Sequence, residues 1–303
     1  MKALIAEYTM HHDPGLAPEG RAMYEVLSRS FTRCGYEVIS PEPGDFYEEI
    51  KRIAPACDVG LVIAPDNLLS RFTLAMETVT HNIGCGSMNV AVCANKRHAG
   101  KILASHGIPV PEEAVDGRRV VKPVSGCGAQ GVRITADPAG ADEFGQRFIE
   151  GEHFSVSIVA GRIVGEACLY YTGAPAVALA LNRQLIEITN DGRFHYQGGE
   201  TPVHHPRERE IVDTALRSVT VLGCQGYAGV DVVVSDNVYV VDVNPRITTS
   251  ITGIAATMDA EIADILVRAS RGETPANLHF NGTVSFDANG RITWKKVTSG
   301  SPE

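Results

Sequence analysis

The stretch GVDVVVSDNVYVVDVNPR, residues 229–246, restricts what this chain can fold into more than any other. Two valine-rich runs flank Ser235-Asp236-Asn237, a turn-type tripeptide, so the segment predicts a β-hairpin. Asp231 lies in the first strand. Asp242 and Asn244 lie two apart near the end of the second and share one face of it. A buried antiparallel pair is expected to carry Val, Ile or Leu on its core face, and here two carboxylates and an amide stand among the valines. Taking a carboxylate out of water is costly unless it is paired or binds a cation. Hard oxygen donors grouped in this way suit Mg²⁺ or Mn²⁺ shared with the phosphates of a nucleotide. A hairpin with its polar face in water is the alternative, and three oxygen donors alone do not decide between the two.

Composition narrows the partners. At 303 residues the chain has room for two or three packed layers or lobes. A net charge of −9 with no basic run argues against nucleic acid and anionic membranes as partners. Seven cysteines are scattered without a CxxC pair, which speaks against a disulfide framework or a zinc ribbon and fits a reducing compartment. The opening MKALIAEYTM has one lysine and an apolar run broken by Glu7, the pattern of a first strand rather than a signal peptide. No run approaches the ~20 apolar residues that span a bilayer. A cytoplasmic protein is expected.

Periodicity predicts alternating strands and helices over residues 1–93. KALIAEY reads as a buried strand. EGRAMYEVLSRSFTRCG reads as an amphipathic helix, with Met23, Val26, Leu27 and Phe31 at three- and four-residue steps and Gly35 as its stop. YEVIS, DVGLVIAP and MNVAVC read as further strands, with DFYEEIKRIA and LLSRFTLAMETVTHNIG as helices between them. That order implies a small parallel sheet with helical crossovers. Beyond it, NKRHAGKIL predicts a helix ending at Gly107, and RVVKPV a strand. ADEFGQRFIEG reads as a helix or helix-like connection, and FSVSIVAGRIVGEACLYY as a hairpin with a Gly-Arg turn. LALNRQLIEI suggests a strand, REREIVDTALRSVTVLG and TMDAEIADILVRASRG suggest helices, and VSFDANGRITWKKV a final hairpin. The expected fold class is α/β followed by α+β. The expected divisions are an N-terminal α/β unit over 1–93, a small lobe over 94–150 and a C-terminal lobe with the metal site over 151–303.

Two further signals bear on chemistry. SGCGAQG, residues 125–131, directly follows VVKP. Glycines let backbone N–H groups approach phosphate closely, and Lys122 would add a point charge. The loop is neither a P-loop, since GxxxxGK[ST] is absent, nor a GxGxxG dinucleotide fingerprint. Lys96 stands at the start of the helix before that strand.

Taken in order, Lys96, GIPVP, VVKP, the glycine-rich loop, IEGEHFSV, GVDVVV and VVDVNPR resemble the ATP-grasp superfamily of carboxylate–amine ligases over residues 1–260. The resemblance implies three lobes with ATP clamped between two α+β lobes, and Mg²⁺ or Mn²⁺, two ions, as cofactor. It implies that Lys96 and Lys122 hold ATP phosphates, that Ser125, Gly126, Gly128 and Gly131 belong to a mobile phosphate loop, and that Asp231, Asp242 and Asn244 bind metal. Residues 146–153 match the hinge that recognises adenine and ribose, with Gln146, Glu150 and His153 as candidates. There the chain departs from the family: Gln146 and His153 fall where relatives carry glutamates, and Glu150 or Glu152 is left to substitute. Asp242 stands where glutamate is commoner. Gly229 stands where some ligases place an arginine, a charge that Arg246 or Arg183 is then expected to supply; both are also candidates for gripping a substrate carboxylate.

A narrower resemblance, to the ligases that join glutamate to tyramine in methanofuran biosynthesis, rests on EGRAMYEVL, LALNRQLI, YQGGETPVHHP and DVNPRITTSI. It implies small-molecule substrates, glutamate through its γ-carboxylate and an amine such as tyramine, with a homodimer left open. Another acid–amine pair, in the manner of D-alanine–D-alanine ligase, and a nucleotide-binding regulatory module without turnover remain as rival expectations.

Overall fold

Three sheets, each drawn from its own stretch of sequence, frame the molecule in the structure, a computed structural model that describes residues 1–126, 130–161 and 176–295. The first stretch runs β1 (Lys2–Glu7), α1 (Thr9–His12), α2 (Ala17–Arg33), β2 (Glu37–Ile39), α3 (Phe46–Ile53), β3 (Val59–Ile63), α4 (Asp66–Glu77) and β4 (His81–Asn82). Its strands pair in parallel in the order β2-β1-β3-β4. The helix expected over 19–35 forms as α2 and buries Met23, Leu27 and Phe31 along one stripe. Asp45 caps α3 by accepting from the backbone N–H groups of Tyr47 at 3.0 Å and Glu48 at 3.2 Å.

MNVAVC is not a strand. It lies in α5 (Ser87–Ala94), which buries Ser87, Val90 and Cys93 at three-residue steps while Met88 is exposed. A short apolar run carries no period of its own, and the helical spacing of the buried positions decides the outcome. Next comes α6 (Lys96–Ser105), capped by Asn95 and buried through Ala99 and Leu103.

The second sheet is antiparallel, with β5 (Arg119–Pro123) between β6 (Arg133–Thr135) and β7 (Glu143–Arg147). The helix expected over ADEFGQRFIEG is instead β7. Phe144 and Gln146 are buried and flanked by more open neighbours, which is a strand's period of two. A Cβ on Gly145 would lie 2.4 Å from the Ala114 carbonyl oxygen, so the glycine admits a close strand crossing rather than breaking a helix.

The large sheet is fully antiparallel. It uses β8 (Glu152–Ala160), β9 (Ala176–Ile188), β10 (Phe194–Thr201), β11 (Gly226–Val234), β12 (Val238–Asn244), β13 (Val284–Asp287) and β14 (Ile292–Trp294), in the order β12-β11-β8-β9-β10-β13-β14. The opening and closing hairpins expected from sequence are β11–β12 and β13–β14. The expected Gly-Arg turn after β8 falls largely outside the described residues. Among the helices, α7 (Glu208–Val221) and α9 (Ile262–Ala269) were legible, and α8 (Ile251–Thr257) was not. One face of the sheet packs Phe154, Val156, Val230 and Val232 against Ile211, Ala215 and Val219 of α7. At one end of the opposite face, Val159 and Tyr227 pack with α8, α9 and Leu27 of α2. The rest of that face opens onto a cavity. Among the described residues no helix is long and apolar enough to cross a membrane.

Candidate active site

Val230 and Val232 of β11 go to the core beneath α7, which turns Asp231, between them in sequence, to the other side. Asp231 stands directly opposite Asp242, and Gly229 opposite Asn244. The register shifts just past Asp231, where Val241 is bulged out of the ladder. Bulges re-aim side chains; here Val241 and Asp242, neighbours in sequence, both line the cavity. Asp231 accepts from Asn244 Nδ2 at 3.1 Å and from Gln184 Nε2 at 2.9 Å. Lys96 Nζ donates to Asp242 Oδ2 at 2.5 Å and to Asp66 Oδ2 at 3.2 Å. From the second sheet, Lys122 Nζ donates to the Val241 carbonyl at 2.8 Å and lies 5.3 Å from the centre of the Phe144 ring.

Burial and charge work against one another in this group. Burial pushes the Asp231 carboxyl up to about 7, with the Asp242 charge adding to the effect and Lys96 opposing it. Burial also acts to raise Asp242, but Lys96 and Lys122 outweigh it and hold that carboxyl below its usual range. Burial pulls Lys122 down to about 8, against the attraction of Asp242. For Lys96 the desolvation is overcome by Asp242 and Asp66, and its ammonium is held more firmly than in water.

The donor set suits a hard divalent cation. Two carboxylates face one another across paired strands with an amide oxygen nearby, and the more poorly compensated carboxylate, Asp231, is the one a cation would hold ionised. Among the described residues no three His, Cys, Asp or Glu side chains cluster closely enough to cage a metal. An ion here would complete its shell with phosphate oxygens and water, the usual arrangement for Mg²⁺.

The cavity measures about 270 Å³. Its walls come from the small sheet, the segment 146–153, the large sheet and the loops after β1 and β3. Lys96, Lys122, Asp231, Asp242, Asn244 and Arg246 all reach it. Arg246 is 11% exposed and sets its Nε 3.6 Å from Asp66 Oδ1. Arg183 does not reach it. Strand alternation on β9 sends Gln184 and Ile186 inward, whereas Arg183 pairs with Glu152 at 3.5 Å and lies 5.4 Å from the Phe154 ring centre. Of the two arginine candidates, only Arg246 lines the cavity.

The expected hinge residues separate in the same way. Gln146 is buried at the cavity and donates to the Pro111 carbonyl at 3.0 Å. His153 lines the cavity too, and burial lowers its pKa. Glu150 is exposed and does not line it. In the glycine-rich loop Gly126 lines the cavity and Ser125 is exposed. Gly131 turns at φ 74°, in the left-handed region that glycine tolerates. Gly128 lies outside the described residues. The backbone N–H of Lys96 donates to the Val124 carbonyl at 2.9 Å, which ties the start of α6 to the root of this loop.

Sequence reasoning missed three residues that line the cavity, Glu7, Glu19 and Tyr196, and a fourth beside it, Asp66. Glu7 ends β1, is buried, and accepts from Thr9 N at 3.0 Å, Thr9 Oγ1 at 2.6 Å and Met10 N at 2.7 Å; burial raises its pKa. Glu19 accepts from Thr249 Oγ1. Asp66, at the start of α4, stands beside the cavity and pairs with Lys96 and Arg246, which line it. Tyr196 shares the inward face of β10 with Phe194. The available signal was positional, since ligands in open α/β sheets bind beyond the carboxyl ends of the strands, and both Glu7 and Asp66 follow from such ends.

This chain is 26% identical over 299 aligned residues to the tyramine–L-glutamate ligase of Methanocaldococcus fervens, covering 89% of this chain and 94% of that protein. It is 27% identical to the enzyme of the same name from Methanocaldococcus jannaschii, with 89% of each covered. Among solved structures, an ATP-grasp superfamily protein from Archaeoglobus fulgidus superposes with a TM-score of 0.74 at 27% identity, covering 94% of this chain and 92% of that one. A family profile for the ATP-grasp domain matches residues 93–250. That match takes in more than half of the sequence and includes Lys96, Lys122 and the carboxylate hairpin, and on this ground the chain belongs to the ATP-grasp family.

Proposed function

We propose that this ATP-grasp ligase joins the γ-carboxylate of L-glutamate to the amine of tyramine, forming γ-glutamyltyramine, ADP and phosphate for methanofuran biosynthesis. The observation that carries the proposal is the single cavity in which Lys96, Lys122, Asp231, Asp242, Asn244 and Arg246 converge. The two relatives named for this reaction, similar along nearly the whole chain, support the choice of substrates.

Each end of the cavity has a chemistry. Lys122 and the backbone of the glycine-rich loop suit nucleotide phosphates. Asp231, Asp242 and Asn244 are the residues that would hold Mg²⁺ or Mn²⁺, and such an ion supplies neutralisation of phosphate charge when bound. Arg246 offers paired donors for a carboxylate. Toward the first unit, Glu19 offers an acceptor for the ammonium group of an amino acid. Phe194 and Tyr196, alternating with exposed His195 and Gln197, form a ring-lined wall that suits an aryl amine.

The substrate carboxylate oxygen attacks the γ-phosphorus, and the bond to the departing ADP oxygen breaks. An acylphosphate results. The amine nitrogen then attacks the acyl carbon, phosphate leaves, and the nitrogen gives up its proton to the phosphate or to water. Lys96 and Lys122 stabilise the charge that develops on the transferring group. No protein nucleophile is required.

The test is ADP release with Mg²⁺ and, separately, Mn²⁺, given L-glutamate with and without tyramine, with products read by mass spectrometry. ADP release that needs both compounds and yields their condensation product is the expected result. ADP release with other acid–amine pairs alone would keep the ligase and discard these substrates. Tight ATP binding with no ADP from any pair would favour a regulatory module.

A further inference from the structure

Asp66 is the first residue of α4, directly after Pro65, and its backbone is fixed by burial of Leu69, Phe72 and Met76 along that helix. Its side chain is 4% exposed. An isolated carboxylate so far from water is strongly disfavoured, and Asp66 meets two cations carried by two other elements. Lys96 at the head of α6 lies 3.2 Å from Oδ2, and Arg246, just past β12, lies 3.6 Å from Oδ1. Lys96 is shared with Asp242, and Arg246 Nη2 is 3.5 Å from Asn244 Oδ1. The two cations that reach toward phosphate and substrate are thus each held on one side by the hairpin and on the other by Asp66.

We infer that Asp66 is a positioning residue for the transfer: it sets the places of the Lys96 ammonium and the Arg246 guanidinium, and so couples the first unit to the nucleotide end of the cavity. Without its charge, Lys96 is drawn to Asp242 alone and Arg246 loses the carboxylate that draws its Nε side. Displacement of about 1 Å at such groups is enough to cost turnover about a hundredfold. Ground-state attraction for the anionic nucleotide is not weakened, because a negative charge beside both cations has gone.

The near-isosteric Asp66→Asn tests this. Its turnover limb alone rests on the ligase reading above. The expected pattern is a split: kcat falls at least about tenfold, while KM for ATP is unchanged or falls by about two- to fivefold. Asp66→Glu, which returns the charge on a longer arm, recovers part of kcat. In the binding limb, a fluorescent ADP analogue with Mg²⁺ is titrated into the wild type, Asp66→Asn, Lys96→Met and the double variant. If Asp66 acts through Lys96, any tightening caused by Asp66→Asn disappears in the Lys96→Met background. Wild-type kcat in Asp66→Asn would overturn the inference. So would a raised KM with parallel loss of thermal stability in both the Asn and Glu variants, or a tightening by Asp66→Asn that persists in full in the Lys96→Met background. A wild type that binds the analogue but turns over no acid–amine pair would sink the ligase reading and leave the binding cycle to decide the role of Asp66.

Discussion

Asp231→Asn is expected to stabilise the ligand-free protein at alkaline pH. The Asp231 carboxyl is pushed from 3.8 up to about 7, chiefly by burial. The folded protein therefore holds this proton more tightly than the unfolded chain does. The contribution to stability is fully present below 3.8 and is lost as pH rises through about 7. At about 1.4 kcal/mol per unit, the full loss is about 4 kcal/mol, of which about 3 kcal/mol falls between pH 5 and pH 8. Asparagine cannot ionise, so the variant escapes this loss. It gives up one acceptor: Asp231 takes hydrogen bonds from both Asn244 and Gln184, and the amide can accept from only one of them, at a cost of about 1 kcal/mol. The variant should then exceed the wild type by roughly 2–3 kcal/mol at pH 8, and the advantage should shrink to nothing near pH 5. Urea unfolding of both proteins at several pH values, with a chelator present, measures the difference directly. A wild-type stability that runs parallel to the variant's from pH 5 to pH 8 would refute the reasoning, because Asp231 would then titrate alike in both states.

Other outcomes follow from the same geometry. Asp242→Asn should keep nucleotide binding while turnover falls by about a hundredfold, measured as ADP release beside analogue titration. Arg183→Ala should leave turnover within about twofold of wild type and Arg246→Ala should cost more than about tenfold; the reverse order would return Arg183 to the site. Gly145→Ala brings a methyl group to 2.4 Å from the Ala114 carbonyl oxygen and 2.7 Å from Arg119 Cδ. It should destabilise by about 1–3 kcal/mol in urea unfolding, since the nearest obstacle is backbone.

What could be read from the chain alone was whatever a local period or a turn residue encodes. The hairpin 226–244 is legible through two valine runs and a polar turn, and its carboxylates mark one face as unlike a core face, though not whether that face meets water or a ligand. The alternation of β1, α2, β2, α3 and β3 was legible for the same reason. Failures came where local pattern and tertiary context part company. MNVAVC has the composition of a strand and the buried spacing of a helix, and only the neighbours of Val90 and Cys93 decide between them. Gly145 in EFGQR reads as a weak point in a helix until the crossing backbone of Ala114 gives it a purpose. Arg183 looked equivalent to Arg246, because facing depends on the register of β9, which the sequence does not reveal. Asp66 was invisible for a deeper reason. Its partner Lys96 lies 30 residues on, and Lys96 in turn meets Asp242 from 146 residues away. No spacing rule links those positions.

The buried charges also indicate what the cavity is shaped to receive. Asp66, Asp231 and Asp242 stand against Lys96, Lys122 and Arg246, so the group is balanced in number but unequal in pairing. Lys96 and Asp242 satisfy one another closely, and each is held more firmly ionised than in water. Asp231 and Lys122 are left with the poorer bargain: burial drives the first toward its neutral acid and the second toward its neutral amine. A ligand that restores both must bring a cation to Asp231 and an anion to Lys122 together. A metal ion alone would aggravate Lys122, and a phosphate alone would aggravate Asp231. A divalent cation already chelated by a polyphosphate meets both demands at once, so these two opposed shifts favour the metal–nucleotide complex over either component as the species the cavity binds.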